Sequence, residues 1–191
     1  MQRLWNEQTD LVFWSNFILG AFCANQCDQF LDTIKPIAVL LQDLMPAGGK
    51  LLDLGCGALD KAMVYQKMGY QCCGADDFQD AWHQDPKNLD PVVTFAQSLG
   101  IEIYAQREPF EVPWEKESFD IVTIVNVIEH LHESPRELLN FAGTRIKPGG
   151  LLVVVMPNSV NLRKRISVLT GRTNYTPVRG LYEFEGLWRG H

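Results

Sequence analysis

The sequence predicts an α/β fold with a doubly wound parallel sheet and helices on both faces. Two observations carry this prediction: short apolar segments alternate with helical segments over most of the chain, and the links between them are short. Such alternation favours right-handed crossovers, which place successive strands parallel in one sheet. A third observation is the β-branched run Phe119–Val125, which is typical of a strand buried on both faces.

A helical region is predicted first, over residues 7–45, where apolar residues recur at helical spacing. Pro46-Ala47-Gly48-Gly49 ends it. We therefore divide the chain into an N-terminal helical segment, residues 1–45, and a sheet domain, residues 46–191. The aromatic side chains of the first segment allow two interpretations: a lid over the ligand site, or a helix that simply packs on the sheet.

The sheet domain is predicted to alternate regularly. The predicted strands are 50–54, 70–75, 101–105, 119–125 and 151–156. The predicted helices between them are 61–68, 90–98 and 135–146. The last helix has a strong start signal, with Ser134 as N-cap, Pro135 at the first helical position and Glu137 completing a capping box.

Composition limits the functional class. The 191 residues suit one domain, and no apolar run approaches the roughly 20 residues needed to span a membrane. The first residues lack the basic-then-apolar order of a secretory signal. We therefore expect a cytoplasmic protein that does not act on a membrane.

Charge is distributed unevenly along the chain. Residues 1–158 carry 11 basic and 21 acidic side chains, whereas residues 159–191 carry six basic and two acidic ones. The acidic body disfavours nucleic acid as a partner, and the basic tail could steer an anionic small substrate. The alternative interpretation of Arg163–Arg165 is a solvated helix face.

The five cysteines are expected to be reduced and mostly buried, because their number is odd and their spacings form no paired knuckles. Cys56 lies in a glycine turn, where a small side chain fits. We assign it no nucleophilic role.

The segment Leu51–Gly57 is the most informative motif. An apolar strand runs into a glycine turn, and Asp53 precedes the first glycine by two residues. Glycines allow positive φ and a close approach of the backbone to a ligand. A nicotinamide fingerprint would need a third glycine where Asp60 stands, so an NAD-linked oxidoreductase is disfavoured.

The Asp-x-Gly-x-Gly form resembles motif I of the class I S-adenosylmethionine-dependent methyltransferases, in their small-molecule type. Later segments that resemble the family follow in its order: Gly74-x-Asp76, Val112-Pro113-Trp114, Glu129-His130-Leu131 and Pro157-Asn158. The resemblance covers residues from about 35 to 158. It implies a Rossmann-like sheet and S-adenosyl-L-methionine as the cofactor.

The resemblance also implies a set of cofactor-binding residues. They are Asp53, Gly55, Cys56, Gly57, Asp76, Asp77, Glu108 and Asn126. The glycine turn with Asp53 would contact the amino acid part of the cofactor, and Asp76 would accept hydrogen bonds from both ribose hydroxyls. Asp77 competes for that role, and Glu108 is either an adenine contact or part of a polar surface loop.

The implied catalytic residues are Glu129 and His130, at the rim of the site beside the sulfonium methyl. Three roles compete for His130: general base, orienter of the cofactor, or packed structural residue. Some relatives hold a divalent cation with Glu-x-x-Glu-His. Here Asn126 replaces the first glutamate, which favours no metal.

The implied function is transfer of a methyl group to an O, N or C atom of a small molecule, such as a sugar, a quinone precursor or another metabolite. The alternatives are a non-catalytic module that binds S-adenosylmethionine and, second, the NAD-linked oxidoreductase. One departure concerns the sheet, which in the family has two further strands. The chain stops at His191, where that pair should begin. We expect the pair to be missing, or the sheet to be closed by a partner chain as in a homodimer.

Overall fold

A computed structural model describes residues 24–45, 47–79, 83–84, 86–106, 110–131, 133–158 and 162–172. The helices are α1 (Ala24–Leu44), α2 (Asp60–Lys67), α3 (Pro86–Leu99), α4 (Arg136–Arg145) and α5 (Leu162–Leu169). The strands are β1 (Lys50–Leu54), β2 (Gln71–Asp76), β3 (Glu102–Ala105), β4 (Phe119–Val125) and β5 (Ile146–Val155). One 3-10 turn, Ile128–His130, follows β4.

The five strands form one sheet in the order β3-β2-β1-β4-β5, and every neighbouring pair is parallel. The predicted α/β fold is therefore confirmed. The strand order reverses between β1 and β4, which run side by side although 64 residues separate Leu54 from Phe119 in the chain. Ligands of such sheets bind beyond the carboxyl ends of the strands at this point.

Side chains alternate between two core clusters, one on each face of the sheet. Leu51, Ile121 and Val153 pack under α1, α2 and α3. Leu52, Val122 and Ile124 pack on the other face, against α4. This period of two places helices on both faces, as predicted.

Two predicted elements are longer than expected. Helix α3 begins at Pro86, four residues before the predicted start, and contains Pro91. Pro86 itself takes the first helical position, where its missing amide hydrogen costs nothing. The other ends that can be compared differ from the predicted ones by at most one residue, except for the start of β5; the predicted start of the first helix lies outside the described residues.

Strand β5 begins at Ile146, directly after α4, whereas the sequence predicted a turn up to Gly150. The Lys147 ammonium lies 2.9 Å from the Asp120 carboxylate, so this segment runs along the start of β4. A Cβ on Gly150 would lie 2.7 Å from the Asp120 carbonyl oxygen. The register between β4 and β5 shifts at this point, which is how the pairing accommodates Pro148 and Gly149.

The start of α4 also differs from the predicted capping box. Pro135 is the N-cap residue and its side chain makes no capping hydrogen bond. The Ser134 hydroxyl accepts a 3.4 Å hydrogen bond from the Arg136 amide, so it caps the helix from one position further out and weakly.

The C-terminus of α1 is fixed to the sheet domain by Tyr70. Its hydroxyl lies 2.9 Å from the Met45 carbonyl oxygen and 3.2 Å from that of Leu41. Residues 1–23 carry the aromatic side chains that we interpret either as a lid or as a packing face, and they lie outside the described residues, as do residues 173–191. In the described part of the chain, no helix combines the length and the apolarity that a membrane crossing requires.

Candidate active site

Three of the five described non-glycine residues with positive φ lie beyond the carboxyl ends of β1, β2 and β4. Leu59, Phe78 and Asn126 have φ values of 64°, 50° and 56°, and each follows one of these strands. A non-glycine residue in the left-handed region costs about 1–2 kcal/mol. Such strain accumulates at functional sites, so this edge of the sheet is the candidate site.

The glycine turn is held against β2. The amides of Gly55 and Cys56 donate to the Ala75 carbonyl oxygen over 2.8 and 3.3 Å. Gly55 has φ +74°, and a Cβ there would lie 2.3 Å from Cγ2 of Val127. Only glycine fits, because both the backbone angle and the contact with Val127 exclude a side chain.

Asp76 and the glycine turn meet directly. The Gly57 amide donates to Oδ2 of Asp76 over 2.9 Å, and the Phe78 amide donates to Oδ1 over 2.8 Å. Each carboxylate oxygen has about two acceptor positions, so each keeps one for a further donor. The two amides therefore orient Asp76 without using up its acceptors.

Asp77, the competing acid, has a different environment. Its Oδ1 accepts a 3.0 Å hydrogen bond from the Gln79 amide, as in an Asx turn. Asp76 is the last residue of β2 and contacts the glycine turn. The geometry favours Asp76 over Asp77 as a ligand for a ribose.

Asp53 lies beneath the turn, fully buried, on the face of the sheet that α2 covers. Its Oδ1 accepts a 2.7 Å hydrogen bond from the Thr123 hydroxyl, and its Oδ2 is buried without a hydrogen-bond partner. Burial raises the pKa of Asp53 to about 6, against the opposing effects of Lys61 and of the Thr123 hydrogen bond. Asp53 therefore has one unused buried acceptor.

Lys61, in the first turn of α2, is a site residue that the sequence analysis missed. Its side chain is 13% exposed, and its ammonium lies 3.0 Å from Oδ1 of Asp60. Burial alone would lower the pKa of Lys61, but the charges of Asp60 and Asp53 raise it above its ordinary value. The available signal was an acid-base pair directly after the glycine turn, where Asp60 had served only to exclude a nicotinamide fingerprint.

Cys56 packs inward from the glycine turn. A Cβ on Gly74 would lie 2.8 Å from its sulfur and 3.3 Å from Cδ2 of Leu59, so both side chains cover β2 at this glycine. Burial raises the pKa of the Cys56 thiol well above its ordinary value. A thiol this hard to ionise is a poor nucleophile, in agreement with the packing role.

Asn126, Glu129 and His130 lie together after β4. The Asn126 amide donates to the Val155 carbonyl oxygen over 2.9 Å, which joins this segment to β5. Both carboxylate oxygens of Glu129 are buried and lack a hydrogen-bond partner. His130 ends the 3-10 turn and is partly exposed. Because unpaired buried carboxylates are costly, Glu129 is an acceptor that a bound donor or cation would satisfy.

His83 lies beside the glycine turn. It is 6% exposed, and its ring packs edge-on against Phe78 at a centroid distance of 5.1 Å. A Cβ on Gly57 would lie 4.0 Å from its Cε1 atom. Glu108, the predicted adenine contact, lies outside the described residues, so its role stays a prediction.

Within the described ranges, no group of three or more His, Cys, Asp or Glu side chains could hold a metal ion. The acceptors of the site are instead isolated carboxylates, on Asp53, Asp76 and Glu129. Such a set suits a ligand that brings several separate donors or a positive charge.

Comparison with known proteins identifies the family. A family model described as "Methyltransferase domain" matches residues 27–177. Ubiquinone biosynthesis O-methyltransferase of Rhizobium etli is 27% identical over 145 residues, which cover 74% of this chain and 55% of that protein. The enzyme of the same name from Ruegeria pomeroyi is 30% identical over 131 residues, covering 68% and 46%. The chain thus spans about half the length of these curated relatives.

Solved structures share the fold. The PH0226 protein of Pyrococcus horikoshii superimposes with a TM-score of 0.56 at 20% identity, covering 87% of this chain and 70% of that one. A SAM-dependent methyltransferase of Aquifex aeolicus gives 0.54 at 17% identity, covering 73% and 76%. Since the family model spans most of the chain, the resemblance indicated by the motifs is confirmed: the chain belongs to the methyltransferase-domain family, of the class I, S-adenosylmethionine-dependent type.

Proposed function

We propose that this chain binds S-adenosyl-L-methionine at the carboxyl ends of β1, β2 and β4 and transfers its methyl group to an O, N or C atom of a small molecule. The observation that carries the proposal is the carboxylate of Asp76, fixed by the Gly57 and Phe78 amides with acceptor capacity to spare. Two vicinal ribose hydroxyls offer the matching pair of donors.

The residues present fit this cofactor. At Gly57 the nearest atom to an added Cβ would be Cε1 of His83 at 4.0 Å, so a ligand can approach the main chain closely at this position. Asp53 and Glu129 contribute buried carboxylate oxygens without hydrogen-bond partners. A ligand with an ammonium group, two hydroxyls and a positively charged sulfur would satisfy these acceptors together.

The cofactor supplies an activated methyl group, so the chain has mainly to align the acceptor, exclude water and accept a proton. His130 follows β4 at the rim of the site. Histidine side chains exchange protons near neutral pH, which suits a general base toward an attacking hydroxyl or amine. Glu129, one residue earlier on the same turn, is our candidate for holding the positive charge of the cofactor.

The substrate proposal starts from the relatives named ubiquinone biosynthesis O-methyltransferase, which make a phenolic quinone precursor the first acceptor to test. Sugars and other metabolites remain in the panel. Arg163 and Arg165 of α5 are exposed, which fits both an anionic acceptor and a solvated helix face, so the charge of the acceptor rests on the sequence alone. A homodimer and a cytoplasmic location remain proposals that rest on the sequence.

Calorimetry with S-adenosylhomocysteine, followed by a mass-spectrometric product assay, tests the proposal. We expect Asp76→Ala to lose affinity by at least tenfold, with Asp77→Ala as the matched control that stays near wild type. A larger loss of affinity in Asp77→Ala than in Asp76→Ala would contradict the assignment of Asp76 as the ribose ligand. Binding without product across the panel would favour a non-catalytic module, and binding of NAD but of neither sulfur compound would favour the oxidoreductase.

A further inference from the structure

We propose that Lys61 is a positioning residue that keeps Asp53 anionic beneath the glycine turn, so that Asp53 offers a charged acceptor to the ammonium group of the cofactor. This inference rests on the proposed function. It assigns a role to a buried lysine that no motif of the sequence singled out.

The first step is the unusual state of Asp53. The carboxylate is fully buried, one oxygen is paired with Thr123, and the other has no hydrogen-bond partner. Removing a carboxylate from water is expensive unless a cation or donors compensate. Asp53 therefore needs a compensating charge inside the protein, and a donor from outside would complete its second oxygen.

The second step is the position of Lys61. Cations are disfavoured near a helix N-terminus, where the helix dipole is positive, yet Lys61 lies in the first turn of α2. Its side chain is only 13% exposed, and the helix that carries it packs on the same face of the sheet as Asp53. The Asp60 carboxylate, 3.0 Å from the ammonium, holds it there.

The third step is the charge balance around Asp53. Burial raises the pKa of Asp53 most, and the carboxylates of Asp60 and Asp76 raise it further. Lys61 opposes these effects more than any other group. Among the described residues, three further titratable neighbours are buried and neutral, with pKa values raised by burial: Tyr65 on α2, Cys56 in the turn and Cys72 on β2.

As a consequence, the ionised state of Asp53 at neutral pH depends on the nearby positive charge. With a pKa of about 6, Asp53 is mostly ionised at pH 7. An opposing charge nearby changes a carboxylate pKa by about 1–3 units, so without Lys61 the acid would be largely protonated at pH 7. A protonated Asp53 would give the cofactor a neutral partner for its ammonium group.

The experiment is the affinity for S-adenosylhomocysteine, measured by calorimetry between pH 5 and 9, for the wild type, Lys61→Met, Lys61→Arg and Lys67→Met. Lys67 is the matched control, in the exposed last turn of the same helix. We expect wild-type affinity to rise with pH through about 6, as Asp53 ionises. In Lys61→Met we expect the pKa of Asp53 to rise by about two pH units. The affinity for S-adenosylhomocysteine should then be about tenfold lower at pH 7 and recover toward pH 9.

The ratio of variant to wild-type affinity is the decisive quantity, because titration of the ligand itself cancels in it. Lys61→Arg should restore the wild-type profile, and Lys67→Met should not change it. A ratio for Lys61→Met that is constant with pH overturns the inference and leaves the proposed function standing. Failure of the wild type to bind the ligand at any pH overturns both.

A second measurement avoids any dependence on a folded Lys61→Met protein. Carbon-13 NMR titration of the Asp53 carboxyl carbon in the wild type should show its pKa falling when S-adenosylhomocysteine binds, because the ammonium group stabilises the ionised form. An unchanged pKa in the complex overturns the inference.

Discussion

The Thr123 hydroxyl donates a 2.7 Å hydrogen bond to Asp53, and the two residues are direct register partners on β4 and β1. These strands meet where the strand order reverses. The crevice in which a doubly wound sheet binds its ligand thus has a buried acid at its base, held by a hydroxyl from a strand 70 residues away.

Asp53→Asn should stabilise the fold at neutral pH. Because burial raises the pKa of Asp53 to about 6 in the folded protein, against its ordinary value of 3.8, the native state binds more protons than the unfolded state between these two pH values. Its free energy of unfolding therefore falls as pH rises from about 4 to 6. Asparagine keeps a hydrogen-bond acceptor for Thr123 but carries no charge. We therefore expect the free energy of unfolding to increase by about 1–3 kcal/mol at pH 7.5.

Urea unfolding at pH 7.5 and pH 4 measures this effect, and the gain should disappear at the lower pH, where the wild-type acid is already protonated. The same variant should bind S-adenosylhomocysteine more weakly. A variant that is less stable than wild type at pH 7.5 contradicts the assigned burial of charge.

Gly55→Ala should both destabilise the protein and weaken cofactor binding. A methyl group would lie 2.3 Å from Val127, at a φ of +74°. We expect a loss of at least about 2 kcal/mol in the free energy of unfolding. Gly143→Ala is the matched control, since that glycine lies in α4 with nothing within 4 Å, and should be neutral or stabilising by up to about 1 kcal/mol.

The sequence predicted β1 and β4 to the residue, because their apolar runs are continuous and their ends are marked by turns and charges. The resemblance to the family motifs implied cofactor contacts for Asp53 and Asp76, and these contacts stay predictions. The sequence did not predict that Asp53 is buried against Thr123, because this contact depends on the register between β1 and β4. Lys61 was missed since a lysine beside a turn is usually solvated.

Tyr70→Phe should loosen the C-terminus of α1. The hydroxyl bonds the Met45 carbonyl at 2.9 Å, one of the terminal carbonyls that a helix leaves without an internal partner. We expect the free energy of unfolding to fall by about 1 kcal/mol. Hydrogen exchange should accelerate in the last turn of α1 and remain unchanged in α4; equal acceleration in both helices would mean that the effect is global.

Lys147→Met should destabilise the protein at neutral pH and make its stability depend less on pH in the acid range. Hydrogen bonds from the Lys147 ammonium and the Lys50 amide hold the pKa of Asp120 below its ordinary value, although partial burial opposes this. A lowered pKa contributes stability above the unfolded pKa that is lost as pH falls through the folded one. We expect the free energy of unfolding of the variant to be about 1 kcal/mol below that of the wild type at pH 7 and nearly equal to it at pH 2. Urea titrations at the two pH values measure this difference. Lys116→Met is the surface control, and an equal loss for it would contradict the pairing.

Glu129→Gln should change the selectivity between two forms of the cofactor. The two buried oxygens of Glu129 have no hydrogen-bond partner, so a positive charge placed beside them would be stabilised strongly. S-adenosylmethionine carries that charge on sulfur and S-adenosylhomocysteine does not. We therefore expect the substitution to lower the affinity for S-adenosylmethionine about five- to tenfold more than the affinity for S-adenosylhomocysteine.

Two control variants accompany this prediction. Asp76→Asn should lower the affinity for both ligands equally, because both contain the ribose. Glu133→Gln, on the exposed segment after the 3-10 turn, should change neither affinity. Competitive calorimetry measures the ratio, and an equal loss of both ligands in Glu129→Gln would place Glu129 away from the sulfur and leave His130 as the nearest candidate for contact with the reacting groups.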